Sequence, residues 1–424
     1  MDTTPFHLIL FALDVAVLMG LSLWLRFRRS TGAIRSAVYY FEKSLYAPTA
    51  TVRRFTLVWD IAGVCFFGGF GLVCFAILTR FIRTGFAQNA IYHFNVGQCI
   101  VEGMIVHGTV FLIGTAILLH WNRRAVLAAL SGCCALLLTV VGFDILYWEP
   151  YHLRVEHYTI KTSKIKKSLR IVFVADIQTD RISSHEINTL KKIQQQKADL
   201  IILGGDYLQT FKDTQKDQLP EKFRQLLIDD PLEAPLGVYA IAGNILETNE
   251  ESFFEDTSVQ YIRNTVFFDD LGREEGWDPP IDLVLLRPEH SLGGLGERGI
   301  TDSGNFIVMA GHFPNYAVDG YKSPISDKIF SGYRNAERAP DLMLAGHTHG
   351  GQIVIPFYGP LVNWVEDKYA LQVPHKMWSG FFPYSNGGHV LVTRGSGMER
   401  GWAPRIRLFC PAEISVINIV PESP

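Results

Sequence analysis

Four long apolar stretches occupy the first third of the chain. Each approaches the roughly 20 residues that a helix needs to cross a bilayer, and each has few of the polar positions that a soluble bundle repeats at helical period. They extend from about His7 to Phe27, Phe55 to Leu78, Ile100 to Trp121 and Ala125 to Trp148. No basic residue precedes the first stretch and no small-residue cleavage site follows it, so we expect a retained span rather than a signal peptide. The pattern predicts a multi-pass membrane domain of four transmembrane helices over residues 1–149.

Basic residues in the short connections predict how these helices are oriented, because cytoplasmic loops are enriched in Lys and Arg. The loop after the second span carries only Arg80 and Arg83. The loops after the first and third spans carry more basic residues: Arg26, Arg28, Arg29, Arg35, Lys43, Arg53, Arg54, Arg123 and Arg124. We therefore expect those two loops in the cytoplasm, and the chain after Trp148 on the periplasmic or extracellular side of the cell membrane.

From Pro150 onward, short aliphatic runs alternate with amphipathic polar stretches. Helical period covers Ser184–Gln195 and Leu219–Leu227. The predicted strands are Arg170–Ala175, Asp199–Leu203, Gly237–Ala242, Asp282–Leu286, Phe306–Ala310, Asp341–Ala345, His389–Thr393 and Glu413–Ile419. Alternation of this kind predicts an α/β layered domain over residues 150–424, with its reactive groups at the carboxyl ends of the strands.

Composition limits the classes of partner that this chain is expected to bind. The mean hydropathy of +0.14 is high for a chain with 19% charged residues, which fits a membrane domain joined to a soluble one. The net charge of −3 provides no basic field for a polyanion, so we expect no nucleic acid partner. Five of the six cysteines lie in or beside the apolar stretches, and Cys410 alone cannot form a disulfide framework.

Residues that ligate metals follow five successive strands. Asp176, Asp206, Asn244 and His312 each come after one strand, and His347 with His349 comes after another. A single aspartate after a strand is as typical of a turn or helix cap, but five strand ends in order predict a metal site. Carboxylates, imidazoles and an amide oxygen suit manganese, zinc or iron. If their segment is extended, His347 and His349 share one face, and glycines at 346, 350 and 351 allow close approach.

From about Leu169 to Ile419 the chain resembles a calcineurin-like metallophosphoesterase, especially the membrane-anchored bacterial branch of that family. The string GHTHGGQ carries most of the resemblance, and the family pattern D-x-H, G-D, G-N-H-[DE], H, G-H-x-H has at least partial counterparts in order. The resemblance implies a β-sandwich flanked by helices. It also implies two divalent metal ions and hydrolysis of a phosphodiester or pyrophosphate by a metal-activated hydroxide.

The resemblance also implies residue roles. Asp206 would bridge the two metals, and Asp176 with His349 would complete one site. Asn244, His312 and His347 would complete the other. Asp206, Asn244 and His347 are the expected catalytic residues. Arg394, in VTRGSGMER, resembles the family's closing arginine and is the predicted substrate-binding residue; a surface salt bridge is the alternative for Arg394 and for Arg405.

Two positions depart from the family pattern. Gln178 stands where D-x-H has its histidine, and an amide oxygen is a poorer ligand for a transition metal than imidazole. Ile245 replaces the histidine of G-N-H, with Glu247 two positions further on. The resemblance implies that this histidine assists the leaving group as a general acid. Its loss matters less when the leaving group is acidic, so Ile245 favours a pyrophosphate or an activated diester.

Aromatic residues are dense after GHTHGGQ, at Phe357, Tyr358, Trp364, Tyr369, Trp378, Phe381, Phe382 and Tyr384. Such a segment favours a membrane interface and a lipid-linked phosphate substrate, or else a long loop that packs its own aromatics. Two other functions remain open. Gln178 and Ile245 are compatible with a catalytically attenuated binding or regulatory module, and the helices alone are compatible with a transporter or sensor, although they carry few polar groups.

Overall fold

The computed structural model describes most of the chain after residue 103. The described residues are 13–25, 27, 63–69, 71, 73, 101, 103–209, 218–245, 250–293, 303–318, 321–322, 329–330, 340–361, 373–384, 387–399 and 404–422. The chain divides into two compact units, Met1–Asp144 with Gly401–Pro404 and Ile145–Arg400 with Arg405–Pro424.

The amino-terminal unit is helical where it is described. It contains α1 (Leu13–Leu25), α2 (Gly108–Trp121) and α3 (Ala125–Phe143), with a π-helical turn ahead of α2 at Gly103–His107. Two continuous helical segments, Gly103–Trp121 and Ala125–Tyr151, are long and apolar enough to cross a membrane, and α1 is a shorter apolar helix. Large apolar side chains point outward from α3, with Val126 75% exposed and Leu136 66% exposed.

These two helices coincide with the third and fourth predicted spans. The first predicted span is described only in part, as α1, and most of the second lies outside the described residues. Asp14, an acidic exception within the first span, pairs with His107 at 2.7 Å. The total of four spans and the side of the membrane that each loop faces stay predictions.

The carboxy-terminal unit contains two six-stranded mixed sheets. The first has the order β1-β16-β2-β3-β4-β5 and the second β14-β15-β11-β8-β7-β6. The strands of the first sheet are β1 (Arg154–Thr162), β2 (Leu169–Val174), β3 (Leu200–Leu203), β4 (Val238–Ile241), β5 (Gln260–Ile262) and β16 (Glu413–Pro421). Those of the second are β6 (Val266–Leu271), β7 (Ile281–Leu285), β8 (Phe306–Ala310), β11 (Leu342–Ala345), β14 (Gly380–Pro383) and β15 (His389–Val392).

Among its described residues, this unit also contains three α-helices and two short hairpins. The helices are α4 (Ser184–Gln195), α5 (Leu219–Asp229) and α6 (Pro288–Gly293). The hairpins pair β9 (Tyr321–Lys322) with β10 (Ile329–Phe330) and β12 (Val354–Ile355) with β13 (Gly359–Pro360).

Alternating side chains of β2 show how the layers are joined. Ile171 and Phe173 belong to a core shared by both sheets, in which they are grouped with residues of β8 and β11. Val172 and Val174 point the other way, into a core shared with α4 and α5. Because both faces are covered, the central strands are almost continuously apolar. The predicted α/β layered domain, a β-sandwich flanked by helices, is confirmed.

All eight predicted strands are present, with ends within two residues of those expected. Helix α4 has its predicted bounds, fixed at its start by a capping box between Ser183 and Glu186. Within the two six-stranded sheets, the prediction missed β1, β5, β6 and β14, and it also missed the four short strands of the hairpins. Strand β1 has the sequence RVEHYTIKT, whose polar residues hide a strand that is held at the sheet edge by parallel pairing with β16.

A buried arginine fixes the loop between β15 and β16. Arg407 has no exposed surface, and its guanidinium donates to the carbonyl oxygens of Gly397 at 2.6 Å, Cys410 at 2.8 Å and Arg394 at 2.8 Å. The same loop donates from Gly397 N to Asp176 O at 2.8 Å. A Cβ at Gly397 would lie 1.8 Å from the carbonyl oxygen of Ile177, so only glycine permits this approach. Arg407 therefore holds the loop against the carboxyl end of β2.

Replacing Arg407 by lysine tests this role. We expect Arg407→Lys to lower the free energy of unfolding by about 3 kcal/mol, because one ammonium group cannot reach three carbonyls that would stay buried. The measurement is thermal unfolding of the full chain in detergent. The matched control is Arg405→Lys, which alters a half-exposed pair with Asp180 at 2.9 Å and should cost less than about 1 kcal/mol. Equal losses in the two variants would contradict the assignment.

Candidate metal centre

The two sheets each contribute part of one cluster of polar side chains. Asp176, Asp206 and Asn244 follow β2, β3 and β4 of the first sheet. His312 follows β8, and His347 and His349 follow β11, in the second sheet. Parallel strands end at a common edge, and the two packed sheets bring their edges together. The structure thus brings together all six of the principal residues predicted from the sequence.

Asp206 lies at the middle of the cluster. Its Oδ1 accepts the backbone N–H groups of Asn244 at 2.8 Å and Ile245 at 2.9 Å, and its Oδ2 lies 3.2 Å from His312 Nε2. A Cβ at residue 243 would lie 1.9 Å from Asp206 Oδ1, which explains why glycine precedes Asn244. The backbone of the G-N motif therefore fixes the carboxylate directly.

Asn244 links two histidines. Its Oδ1 lies 2.7 Å from His312 Nε2 and 2.7 Å from His347 Nδ1. Ligand atoms of Asp206, His312 and His347 all lie within 4.8 Å of one another, which is close enough for one cation to contact all three. His312 Nδ1 is 2.8 Å from the carbonyl oxygen of Gly204, and a carbonyl only accepts. Nδ1 must therefore carry a proton, and Nε2 is the nitrogen that would ligate once a cation displaces its own proton.

Asp176 and His349 form the second part of the cluster. Asp176 has no exposed surface and accepts the backbone N–H of His347 at 2.9 Å. His349 Nε2 lies 3.8 Å from Asp176 Oδ1, too far for a hydrogen bond. Both ring nitrogens of His349 are buried without a hydrogen-bond partner, and the residue is only 4% exposed. Buried polar atoms of this kind normally have a partner, so the pair fits a cation held between carboxylate and imidazole.

The charges of the cluster also indicate that a cation belongs beside Asp176. Burial raises the pKa of Asp176 to about 7, more than the neighbouring His312 lowers it. Burial also opposes ionisation of Asp206, but its contact with His312 and the N–H of Ile245 together lower its pKa below the usual range. For His312, burial is outweighed by Asp206, and its pKa rises to about 9. The fold thus stabilises the ion pair between Asp206 and His312. It places too little positive charge beside Asp176 to offset the burial of that carboxylate.

The remaining two histidines are disposed to be neutral ligands. Burial, followed by the positive charge of His312, lowers the pKa of His347 to about 3. Burial lowers the pKa of His349 well below its ordinary value, and Arg407 adds to the effect. Neutral imidazoles bind metals, whereas protonated ones do not. The donor set of carboxylate and amide oxygens with imidazole nitrogens therefore fits divalent manganese, zinc or iron.

His347 and His349 do not share a face of a strand. Their φ angles are +70° and +50°, and His349–Gly351 forms a short 3-10 turn, so the segment is not extended as the strand argument requires. The turn directs His347 toward Asn244 and His349 toward Asp176. Each histidine is thereby available to a different half of the cluster.

Gln178 is also in the cluster but presents its nitrogen. Its Nε2 donates to Asp206 Oδ2 at 3.1 Å and to Glu399 Oε2 at 3.3 Å, while its buried Oε1 has no partner. Exchanging the amide oxygen and nitrogen needs no movement of the heavy-atom frame and would turn the oxygen toward Asp206. Glu399 was missed by the sequence analysis, although it lies in the VTRGSGMER segment. Its backbone N–H donates to Gln352 of GHTHGGQ at 2.6 Å.

Arg394 is engaged by two glutamates. Its Nη2 lies 2.8 Å from Glu156 Oε1, and its Nε lies 2.8 Å from Glu413 Oε2. This is the salt-bridge alternative, formed with β1 and β16 rather than on the open surface. Arg405 likewise pairs with Asp180. The substrate-binding role of Arg394 stays a prediction.

Glu250 is a further carboxyl group that sequence reasoning missed. It accepts the hydroxyl of Tyr261 at 2.9 Å and the backbone N–H of Gly243, next to Asn244. Burial raises its pKa to about 7. No motif marks this residue, since it becomes significant only when the chain after β4 folds back beside the G-N turn. Glu247, the substitute for the missing histidine suggested by the sequence, lies outside the described residues.

Comparison with known proteins gives a consistent result. Residues 169–351 match the family model for calcineurin-like phosphoesterases. The chain is 36% identical over 307 residues to the phosphodiesterase YaeI of Escherichia coli, covering 70% of this chain and 99% of that protein. It is 26% identical over 287 residues to the uncharacterised metallophosphoesterase YkuE of Bacillus subtilis, covering 64% and 87% of the two chains.

A third relative is named for a lipid substrate. The UDP-2,3-diacylglucosamine pyrophosphatase LpxG of Chlamydia trachomatis is 23% identical over 334 residues, covering 69% of this chain and 98% of that one. Among solved structures, a dimetal phosphatase from Danio rerio matches 54% of this chain at 10% identity with a TM-score of 0.31, too low to bear on fold or activity. The family match, the relative at 36% identity and the clustered donor set show that the chain belongs to the calcineurin-like phosphoesterase family and is a metal-dependent phosphoester hydrolase.

Proposed function

We propose that this protein is a membrane-attached phosphodiesterase or pyrophosphatase that acts on a lipid-linked substrate. The observation that carries the hydrolytic part is the cluster of Asp176, Asp206, Asn244, His312, His347 and His349, in which buried ligand atoms of His349 have no partner. Residues 1–149 would form the membrane domain and residues 150–424 the catalytic domain. The charged loops between the apolar stretches support a periplasmic or extracellular position for that domain.

The chain's residues have distinct proposed roles at two divalent cations. When bound, such cations lower the pKa of water and clamp the oxygens of a phosphoryl group. Asp206 would be shared between the two, because it touches both the His312 side and the Gln178 side of the cluster. Asn244, whose Oδ1 lies beside the ring nitrogens of His312 and His347, would join those two histidines at one site. His349 would complete the site at Asp176.

The leaving group is proposed to be acidic. Ile245 stands where the family pattern has a histidine next to Asn244, and its side chain has no proton to give. A nucleoside monophosphate or an activated alkoxide leaves without such help more readily than a simple alkoxide does. The name of the chlamydial relative, a pyrophosphatase of UDP-2,3-diacylglucosamine, supports a lipid-linked pyrophosphate as the class to test first.

An exposed apolar hairpin beside the metal centre supports access by a lipid. The hairpin of β12 and β13 directly follows the His349 turn, and at its tip Phe357 and Tyr358 are 112% and 62% exposed. Phe409, on the adjoining segment, is 61% exposed. Exposed aromatics grouped in this way are typical of protein surfaces that meet a membrane or an amphiphile.

The same segment is tied to the end of the last apolar helix. The backbone N–H of Phe409 donates to Glu149 Oε2 at 2.9 Å, and that of Cys410 donates to Glu149 Oε1. Glu149 lies within the continuous helix Ala125–Tyr151. Phe409 is therefore held beside Glu149, in the part of the chain that continues the last apolar helix. In contrast, Trp378 is buried and Phe381 stacks on His389, so part of the aromatic segment serves the core.

A second candidate is a catalytically attenuated binding or regulatory module. The amide nitrogen of Gln178 facing Asp206 favours this alternative, since a hydrogen-bond donor there does not ligate a metal. The retained geometry of His312, His347 and His349 favours turnover. Metal content and activity together separate the two.

His349→Ala tests the hydrolytic centre. We expect about two metals per chain in the manganese-loaded protein, and at least about 100-fold slower hydrolysis of bis(p-nitrophenyl) phosphate in the variant, because loss even of a group that only orients a ligand costs about 10- to 100-fold. Metal analysis and initial rates make the measurement. His157→Ala, at an exposed histidine of β1, is the control and should leave both unchanged. Unaltered turnover in His349→Ala, or no turnover in the parent protein, would favour the binding module.

The hairpin is tested with Phe357→Ser combined with Tyr358→Ser. We expect turnover of a lipid-linked pyrophosphate, such as UDP-2,3-diacylglucosamine, to fall about tenfold, since each aromatic ring withdrawn from lipid removes apolar burial. Hydrolysis of bis(p-nitrophenyl) phosphate should not change. Ile228→Ser, at an exposed apolar residue of α5, is the control. If the double variant lost activity on both substrates equally, the lipid-access role would be wrong.

Glu250→Gln tests the environment of the buried carboxyl group. Because its pKa is about 7 in the folded chain against an ordinary 4.5, the folded state binds the extra proton, and stability falls as pH rises from about 4.5 through 7. The glutamine variant removes this loss. We expect it to gain about 2 kcal/mol relative to the parent at pH 8 and little at pH 5, less than the full shift implies because the group keeps some contact with water.

Thermal midpoints of the full chain at the two pH values give this measurement. Glu251→Gln, at the exposed neighbouring glutamate, serves as the control and should show the same difference at both pH values. A Glu250→Gln difference that does not depend on pH would show that the carboxyl is not held in a desolvated environment.

A further inference from the structure

A second polar site is formed by residues outside the metal cluster, along α4 and the connection between β2 and α4. It is a cavity of about 530 Å³, bounded by α4 and by the chain that follows the last apolar helix. Its walls include Tyr151, Arg181, Ser184, His185, Lys191 and Lys192. None of these residues belongs to the metal cluster.

The cavity is strongly cationic. Arg181, Lys191 and Lys192 contribute three positive charges, and no carboxylate is among the described residues that line it. The nearest acidic residues are already engaged. Glu186 is buried and accepts from Ser183 N and Thr179 Oγ1, each at 2.8 Å, and Asp180 pairs with Arg405. The positive charge is therefore not neutralised within the cavity and favours an anion.

The cavity has a fixed wall and a reachable rim. Lys192 Nζ donates to the carbonyl oxygen of Leu153 at 2.7 Å, and His185 Nε2 lies 2.9 Å from the carbonyl oxygen of Ser396. These contacts hold α4 against the chain on either side. Arg181 and Lys191 are exposed, so their charged groups are accessible to a ligand. An arginine fork with a nearby ammonium group matches the oxygens of a phosphate.

Tyr151 indicates where that ligand would come from. It is the last residue of the apolar helix Ala125–Tyr151, and its ring packs edge-on against His185 with centroids 5.4 Å apart. Trp148, on the same helical end, is 55% exposed. Tryptophan and tyrosine at the end of an apolar helix are typical of the headgroup level of a bilayer. The cationic cavity would then open at the depth of lipid phosphates.

We propose that this cavity binds the phosphate of an anionic membrane lipid headgroup. The proposal rests on the membrane attachment in the proposed function, but not on hydrolysis at the metal centre. Arg181 and Lys191 contact the phosphate, while Lys192 and His185 keep the wall in place. A lipid bound there fixes the catalytic domain against the bilayer surface through a contact separate from the substrate.

The test is calorimetric titration of the EDTA-treated full chain in a neutral detergent. The titrants are dihexanoyl phosphatidic acid, dihexanoyl phosphatidylcholine and inorganic phosphate. We expect the phosphatidic acid to bind, the phosphatidylcholine to bind at least about tenfold more weakly, and Arg181→Gln with Lys191→Gln to weaken phosphatidic acid binding about tenfold or more. Removing metals keeps ligand from the catalytic centre, so failure of hydrolysis and failure of this site are distinguishable.

A matched control removes the same charges elsewhere. Lys222→Gln with Arg273→Gln, on α5 and on the β6–β7 turn, should leave binding unchanged. Acetylation of Lys191 in the parent protein gives a readout that needs no variant: the phosphatidic acid should slow it at least about fivefold and leave Lys222 unaffected. Inorganic phosphate binding as tightly as the lipid would overturn the lipid source. Absence of binding, or equal weakening in both variant pairs, would overturn the site.

Discussion

The carboxylates of Asp176 and Asp206 lie in the interior at the place where strands of both sheets end. A carboxylate removed from water is costly unless hydrogen bonds and positive charge replace the lost solvation. Asp206 receives two backbone N–H groups and the imidazole of His312, and its pKa is lowered. Asp176 receives weaker compensation from the N–H of His347, and its pKa rises to about 7. A divalent cation held beside His349 would correct this imbalance.

The rest of the catalytic domain serves that arrangement. Only glycine at positions 243 and 397 lets one backbone segment approach the Asp206 carboxylate and another approach the strand that carries Asp176. Arg407 then holds the second of these segments through backbone carbonyls, at a buried position with no exposed surface. Since each carbonyl would otherwise be buried without a donor, the arginine supports the metal centre through backbone carbonyls, that of His349 among them.

In the proposed function, two surfaces of the same domain relate it to a membrane by different physical means. The β12–β13 hairpin and Phe409 expose apolar rings beside the metal turn, which suits acyl chains. The cavity at α4 gathers arginine and lysine near Tyr151, which suits phosphate. Both adjoin the segment that continues the last apolar helix. In the proposed function, one surface admits the substrate and the other sets the domain's position on the bilayer.

The sequence by itself determined the central strands, because their residues are buried on both faces and read as short aliphatic runs, and it predicted the candidate ligands, because these follow the strands directly. The family motif GHTHGGQ, which also follows a strand directly, identified the chemistry. The tertiary structure alone decided which ligands meet. His312, which is 106 residues from Asp206 along the chain, meets it only because the two sheets pack face to face and bring their strand ends together.

Other features were decided by packing between distant segments. The turn that separates His347 from His349, the salt bridges of Arg394 with Glu156 and Glu413, and the burial of Arg407 and Glu250 have no local signal. The sequence gives a residue's type and the strand that it follows. Its pKa, rotamer and partner depend on side chains contributed by other strands. Those contacts exist only once both sheets are formed, and they decide which charged group ligates, which supports and which pairs.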